Sequence, residues 1–172
     1  MAKIFLLLFE SVKSTLLMAL RVGMLLHAFV FSLNAINPKL YVEPEVKPYY
    51  EQFVKDCKFL YHSPKICDQS ISMRFVNEPD QEYLGYALVV PIIGSKLKTI
   101  KINKYYWSKY DSDERWPIIY HELGHAILMR PHDDAFMKSP DGIIPRSLMH
   151  WQAFDSWIST KYEAYYLGEL FK

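Results

Sequence analysis

Residues 111–131 constrain this chain more than any other stretch. Asp111-Ser112-Asp113-Glu114 offers acidic capping residues, Pro117 reads as a proline in a first turn, and Pro131 closes the segment. Ile118, Ile119, Leu123, Ile127 and Leu128 supply packing between those signals, so a helix is predicted to run to about Met129. Inside it lies His121-Glu122-Leu123-Gly124-His125. Side chains four apart share a helix face, with Cβ atoms about 5–6 Å apart, so His121 and His125 can turn ring nitrogens to one zinc ion. Glu122 is rotated by about 100° from His121, which sets it beside such an ion as general base for a water that the metal activates.

A catalytic zinc needs a third protein ligand and an open position. His132 follows seven residues after His125, just past Arg130-Pro131, where a turn can return it to the pair. Glu163 on the last predicted helix is the competing third ligand, with Asp133 and Asp134 as further acids; Asp133 could instead orient an imidazole or cap a turn. His150 sits beside Trp151 and reads as packing or as a cleft residue, and His62 has a weaker claim. Tyr162, Tyr165 and Tyr166 could offer a phenol to an oxyanion, although an aromatic stripe at helical spacing is more often core.

HELGH, the later His132 and the Ser147-Leu148-Met149 run together resemble a metzincin metallopeptidase. The resemblance implies zinc held by His121, His125 and His132, Glu122 as base, and Met149 as the turn methionine beneath the metal. Leu128 stands where that family has glycine, and Pro131 where it has the third histidine, which comes one position later. HELGHAILMRPHDD with SLMH and the terminal YLGELF is similar to a group of small metallopeptidase-like proteins with this longer spacing. The resemblance also implies a substrate lying along an edge strand, for which residues 83–91 are the candidate.

The rest of the chain bounds the setting. With 172 residues, 51% of them hydrophobic, one globular core is expected and a disordered chain is excluded. Twenty basic residues stand against 19 acidic ones, so no polyanion-binding surface, and no nucleic-acid partner, is expected. Residues 1–35 form an apolar leader whose runs 4–9 and 22–33 are separated by Glu10, Lys13 and Arg21. One continuous span would bury those charges, so the leader reads as a signal peptide, complete from Met18 to about Ala35, or as a shorter anchor over 16–33. An exported or membrane-anchored protein follows, with a cytoplasmic amphipathic segment left open. If exported, Cys57 and Cys67 should pair; otherwise they are buried thiols.

Pro38, Pro44 and Pro48 mark residues 36–48 as a linker, leaving 49–172 as the domain. A helix is predicted over 49–61, strands over 71–76, 83–93 and 99–107, and a last helix over 152–171. Ile100 and Ile102 alternate with Lys101 and Asn103 as in a half-solvated sheet, and Pro91 suggests a sheet edge. The expectation is an α+β, zincin-like domain: a small twisted sheet, an active-site helix and a C-terminal helix. Its function would be zinc-dependent peptide-bond hydrolysis by a monomer acting on peptides or proteins. The alternative is a non-catalytic interaction module stabilised by zinc, for which the leader, read as an anchor, would be the membrane tether.

Overall fold

Two helices and a three-stranded sheet clamp the histidine-bearing helix from different sides. The computed structural model describes residues 41–92, 95–152 and 155–172. The leader 1–35, with its signal and anchor readings, lies outside the described residues, as do linker residues 36–40 and Phe154. Among the described residues no helix is long and apolar enough to cross a membrane.

The elements run α1 (Lys47–Leu60), α2 (Pro64–Cys67), β1 (Ser72–Val76), β2 (Gly85–Ile92), β3 (Ser95–Asn103), α3 (Lys104–Trp107), α4 (Ser112–Ala126), β4 (Phe136–Ser139), β5 (Gly142–Pro145), α5 (Ser156–Lys161) and α6 (Glu163–Leu170). The class is α+β, with a main sheet ordered β1-β3-β2 and a separate β4-β5 hairpin. Strand β1 runs parallel to β3 and β2 antiparallel to it, with Met73 opposite Ile100 and Ala87 opposite Ile100 on the other side. The free side of β1 is covered: Met73 N–H donates to Tyr41 O (2.7 Å) and Glu43 N–H to Met73 O (3.1 Å). Among the described residues β2 therefore forms the open edge of this sheet, and Pro91 sits in it, where a missing N–H costs least.

The proline-rich stretch corrects the linker reading. From residue 41 it belongs to the folded body: Val42 bridges Met73, Val46 is fully buried, and Pro48 lies in the first turn of α1. Proline blocks helix interiors but fits a first turn and a sheet edge, so its presence did not require a free tether. The third strand also ends sooner than expected. Asn103, expected on the solvated face, is fully buried and ends it. Its side chain accepts from Tyr105 N–H at the start of α3 and donates to Glu78 O (2.7 Å) and Tyr83 O (3.3 Å), pinning the approach to β2.

The last helix is two, because the chain breaks at Tyr162 between α5 and α6. Its tyrosines hold the hairpin: Tyr162 donates to Asp141, Tyr165 to Arg146 O (2.9 Å) and Tyr166 to Pro145 O (2.8 Å). Cys57 and Cys67 are joined in a disulfide that fastens α1 to α2, both fully buried. The core runs from Phe53 on α1, which packs against Tyr120 and Phe171, through Ile119 and Leu123 on α4 to Met73, Ile100 and Ile102 of the sheet.

Candidate metal centre

Helix α4 starts where its acids predict. The Asp111 side chain accepts from Asp113 N–H (2.9 Å) and Glu114 N–H (3.1 Å), while Glu114 accepts from Asp111 N–H (2.9 Å). This reciprocal cap satisfies donors that the helix itself leaves open. Pro117 consequently falls inside the helix, not in its first turn, and costs one backbone bond there. The helix ends at Ala126, short of Met129, because the chain reverses: Met129 has φ of 57° and Arg130 N–H donates back to Gly124 O (3.0 Å). The left-handed residue thus stands one position after Leu128, and the following histidine is displaced by the same single residue.

That reversal brings three imidazoles together. His121 Nε2 lies 3.0 Å from His125 Nε2 and 3.3 Å from His132 Nε2, and one ligand atom from each lies within 4.8 Å of the others. Their outer nitrogens are committed. His121 Nδ1–H donates to Leu148 O (2.7 Å) and His125 Nδ1–H to Arg130 O (2.6 Å). A carbonyl can only accept, so both protons sit on Nδ1 and both Nε2 atoms present lone pairs to the same point. Lone pairs about 3 Å apart repel unless a cation lies between them. Tetrahedral zinc with Zn–N of about 2.0–2.1 Å sets its nitrogens roughly 3.3 Å apart, so the donor set and spacing fit that ion.

Electrostatics favour neutral rings. Burial pushes His121 down from 6.5 to about 4, against the raising influence of the Leu148 carbonyl, and neighbouring imidazoles push the same way. His125 is also lowered, chiefly by burial. Neutral imidazole is the form that binds metal.

Glu122 turns toward the sheet. It is 6% exposed, and burial raises its carboxyl from 4.5 to about 8, partly offset by the Ala87 backbone N–H. Its Oε2 is buried without a hydrogen-bond partner. Gly85 makes room for it: a Cβ there would lie 3.2 Å from Glu122 Cγ. Gly85 and Ala87 were missed in the sequence, where a glycine opening a strand was the only signal.

Met149 lies beneath the histidine helix. It is fully buried, and a Cβ at Gly124 would come within 2.6 Å of its sulfur. Asp133 and Asp134 serve the His132 loop: Asp133 forms a two-pronged pair with Arg146 (2.8–3.1 Å) and caps Ala135 N–H (3.2 Å). Asp133 N–H donates to Met149 O (3.0 Å), and Asp134 accepts from Trp151 N–H (3.2 Å). These bonds staple the third histidine to the Met149 segment. Arg130 further ties the turn to the C-terminus through Glu169 O (2.9 Å) and Leu170 O (3.1 Å), and Glu169 also accepts from Ser147 Oγ (2.5 Å).

The other candidates fall elsewhere. Glu163 lines a cavity with Trp116 and Tyr120 and is not part of the histidine cluster. His62 is exposed, with φ of 52°, at the junction of α1 and α2. His150 is 4% exposed; its Nδ1 accepts from Gln152 N–H (3.3 Å), and its Nε2 is buried without a partner. No family model matches the chain, and no curated protein or solved structure matches it.

Proposed function

We propose that the chain is a zinc-dependent peptidase with a metzincin-like site, in which His121, His125 and His132 hold the ion and Glu122 moves the proton. The supporting observation is the convergence of three imidazole nitrogens, two of them with the opposite nitrogen fixed by a backbone carbonyl. Zinc, when bound, supplies the Lewis acidity that polarises a peptide carbonyl and acidifies water. Glu122 takes a proton from the attacking water at its unpartnered Oε2 and returns it to the leaving amine. A carboxyl raised to about 8 by burial can both hold and release that proton near neutral pH, and a cation nearby brings the value down.

A purely structural zinc site has no use for a buried carboxyl beside its ligands, which favours the catalytic reading. The edge strand β2, which meets Glu122 at Gly85, supports a peptide bound as an added strand. The Cys57–Cys67 bond supports an oxidising compartment and hence a leader that exports or anchors the protein.

The test is zinc per chain together with hydrolysis of fluorescein-labelled casein. Wild type and Glu122→Gln should each hold one zinc, with hydrolysis slowed about 10²–10⁴-fold in Glu122→Gln, whereas His132→Ala should lose the metal. Stoichiometric zinc with equal, background hydrolysis in wild type and Glu122→Gln would overturn catalysis and leave the zinc-stabilised interaction module.

A further inference from the structure

A second cavity lies against the same helix. A cavity of about 180 Å³ is lined by Pro48, Tyr49 and Gln52 of α1, Trp116 and Tyr120 of α4, and Glu163 of α6, with room for more than a single water. Tyr120 is adjacent to His121 in sequence but turned about 100° around the helix, and none of the three clustered histidines lines the cavity.

Its lining is aromatic and acidic. Three aromatic residues border it, Trp116 and Tyr120 meeting edge to face with centroids 5.3 Å apart. Two carboxylates serve it: Glu163 in the lining, and Asp56 behind, which accepts from the Tyr120 phenol (2.5 Å) and from Gln52 (2.9 Å). Burial first, and then those same two carboxylates, push the phenol well above its ordinary range. Among the described residues no lysine or arginine lines the cavity, and Lys47 nearby in sequence is paired with Glu51 (3.7 Å).

Tyr41, Phe75, Tyr86, Tyr105, Trp107 and Tyr162 each have a lysine or arginine over or beside the ring, at 3.7 to 5.9 Å. Among the described residues no such cation is seen at Tyr49, Trp116 or Tyr120. Aromatic rings beside a carboxylate, with no cation from the described residues over them, match the requirements of an ammonium ligand.

We propose that this cavity binds an organic ammonium head group, held among the rings of Trp116, Tyr120 and Tyr49 and by the carboxylate of Glu163. The ligand is either a free quaternary ammonium or the side-chain ammonium of a lysine in another polypeptide. The site does not depend on the peptidase reading.

Saturation-transfer NMR on the full chain tests it, with choline, Nα-acetyl-lysine methylamide and the neutral choline isostere 3,3-dimethylbutan-1-ol as probes. Saturable binding of choline or of the lysine amide is expected, with the neutral alcohol about fivefold weaker or more. The ammonium compound that binds identifies the source. Glu163→Gln and Trp116→Leu should each weaken binding about fivefold. Glu163 is exposed, so its replacement keeps the test valid even if Trp116→Leu fails to fold. Binding of neither ammonium compound, equal binding of the alcohol, or unchanged affinity in Glu163→Gln would overturn the proposal.

Discussion

Two faces of α4 that begin at adjacent residues carry opposite chemistry. From His121 the helix presents nitrogen lone pairs, held neutral by burial and oriented by the carbonyls of Leu148 and Arg130. From Tyr120 it presents aromatic rings and a phenol bonded to Asp56, with Glu163 in the same cavity lining. The first face suits a metal ion that takes neutral imidazole, and the second a diffuse organic cation that takes π faces and carboxylate. Two carboxylates, Glu122 and Glu163, show what separates them. Glu122 is buried beside Gly85 and rises to about 8, whereas Glu163 stands at the surface. Burial, not residue type, is what raises the carboxyl of Glu122.

Titration of the metal-free protein separates the terms of the first face. The His121 folded value, about 4, lies below its unfolded 6.5, so the unfolded chain binds more protons between the two and stability falls as pH drops through that window. Glu122 acts oppositely: its folded value, about 8, lies above 4.5, so stability falls as pH rises from 4.5 towards 8. Wild type in chelator should show the two opposing each other up to pH 6.5. Urea melts of Glu122→Gln should then expose the histidine term alone, a loss of roughly 3 kcal/mol between pH 6.5 and 4. Wild type should lose roughly 2 kcal/mol between pH 6.5 and 8, and Glu122→Gln should not. A flat profile in Glu122→Gln would mean that His121 is not desolvated as described.

Smaller effects sharpen the packing beneath that face. Alanine in a helix gains about 1 kcal/mol over glycine where space allows. At Gly168, with nothing within 4 Å of an added Cβ, that gain should appear as a higher melting temperature. At Gly124 the same change meets the Met149 sulfur at 2.6 Å and should instead cost about 1–2 kcal/mol. Replacing Met149 by a shorter side chain in a double-mutant cycle should relieve that cost. On the second face, Tyr120→Phe removes the bond to Asp56 and should cost about 1 kcal/mol in chemical denaturation while leaving bound zinc unchanged. Loss of zinc in that variant would join faces that the structure keeps apart.

The sequence by itself determined what depends on neighbours along the chain. The acids at 111–114 specify a helix start, i,i+4 spacing puts His121 and His125 on one face, and alternation around Ile100 and Ile102 specifies a strand, since each rests on local geometry. Only the tertiary structure decided what depends on distant backbone. His132 completes the trio because Met129 turns left-handed and Asp133 and Asp134 tie the loop to residues 146–151. Glu163 lines a different cavity because the chain breaks at Tyr162, and no periodicity announced that break. Asn103 is buried because it satisfies backbone groups 20 and 25 residues away, and residues 41–43 join the sheet by pairing with Met73. A backbone donor or acceptor must be satisfied wherever the fold places it, and one sequence does not name its distant partner.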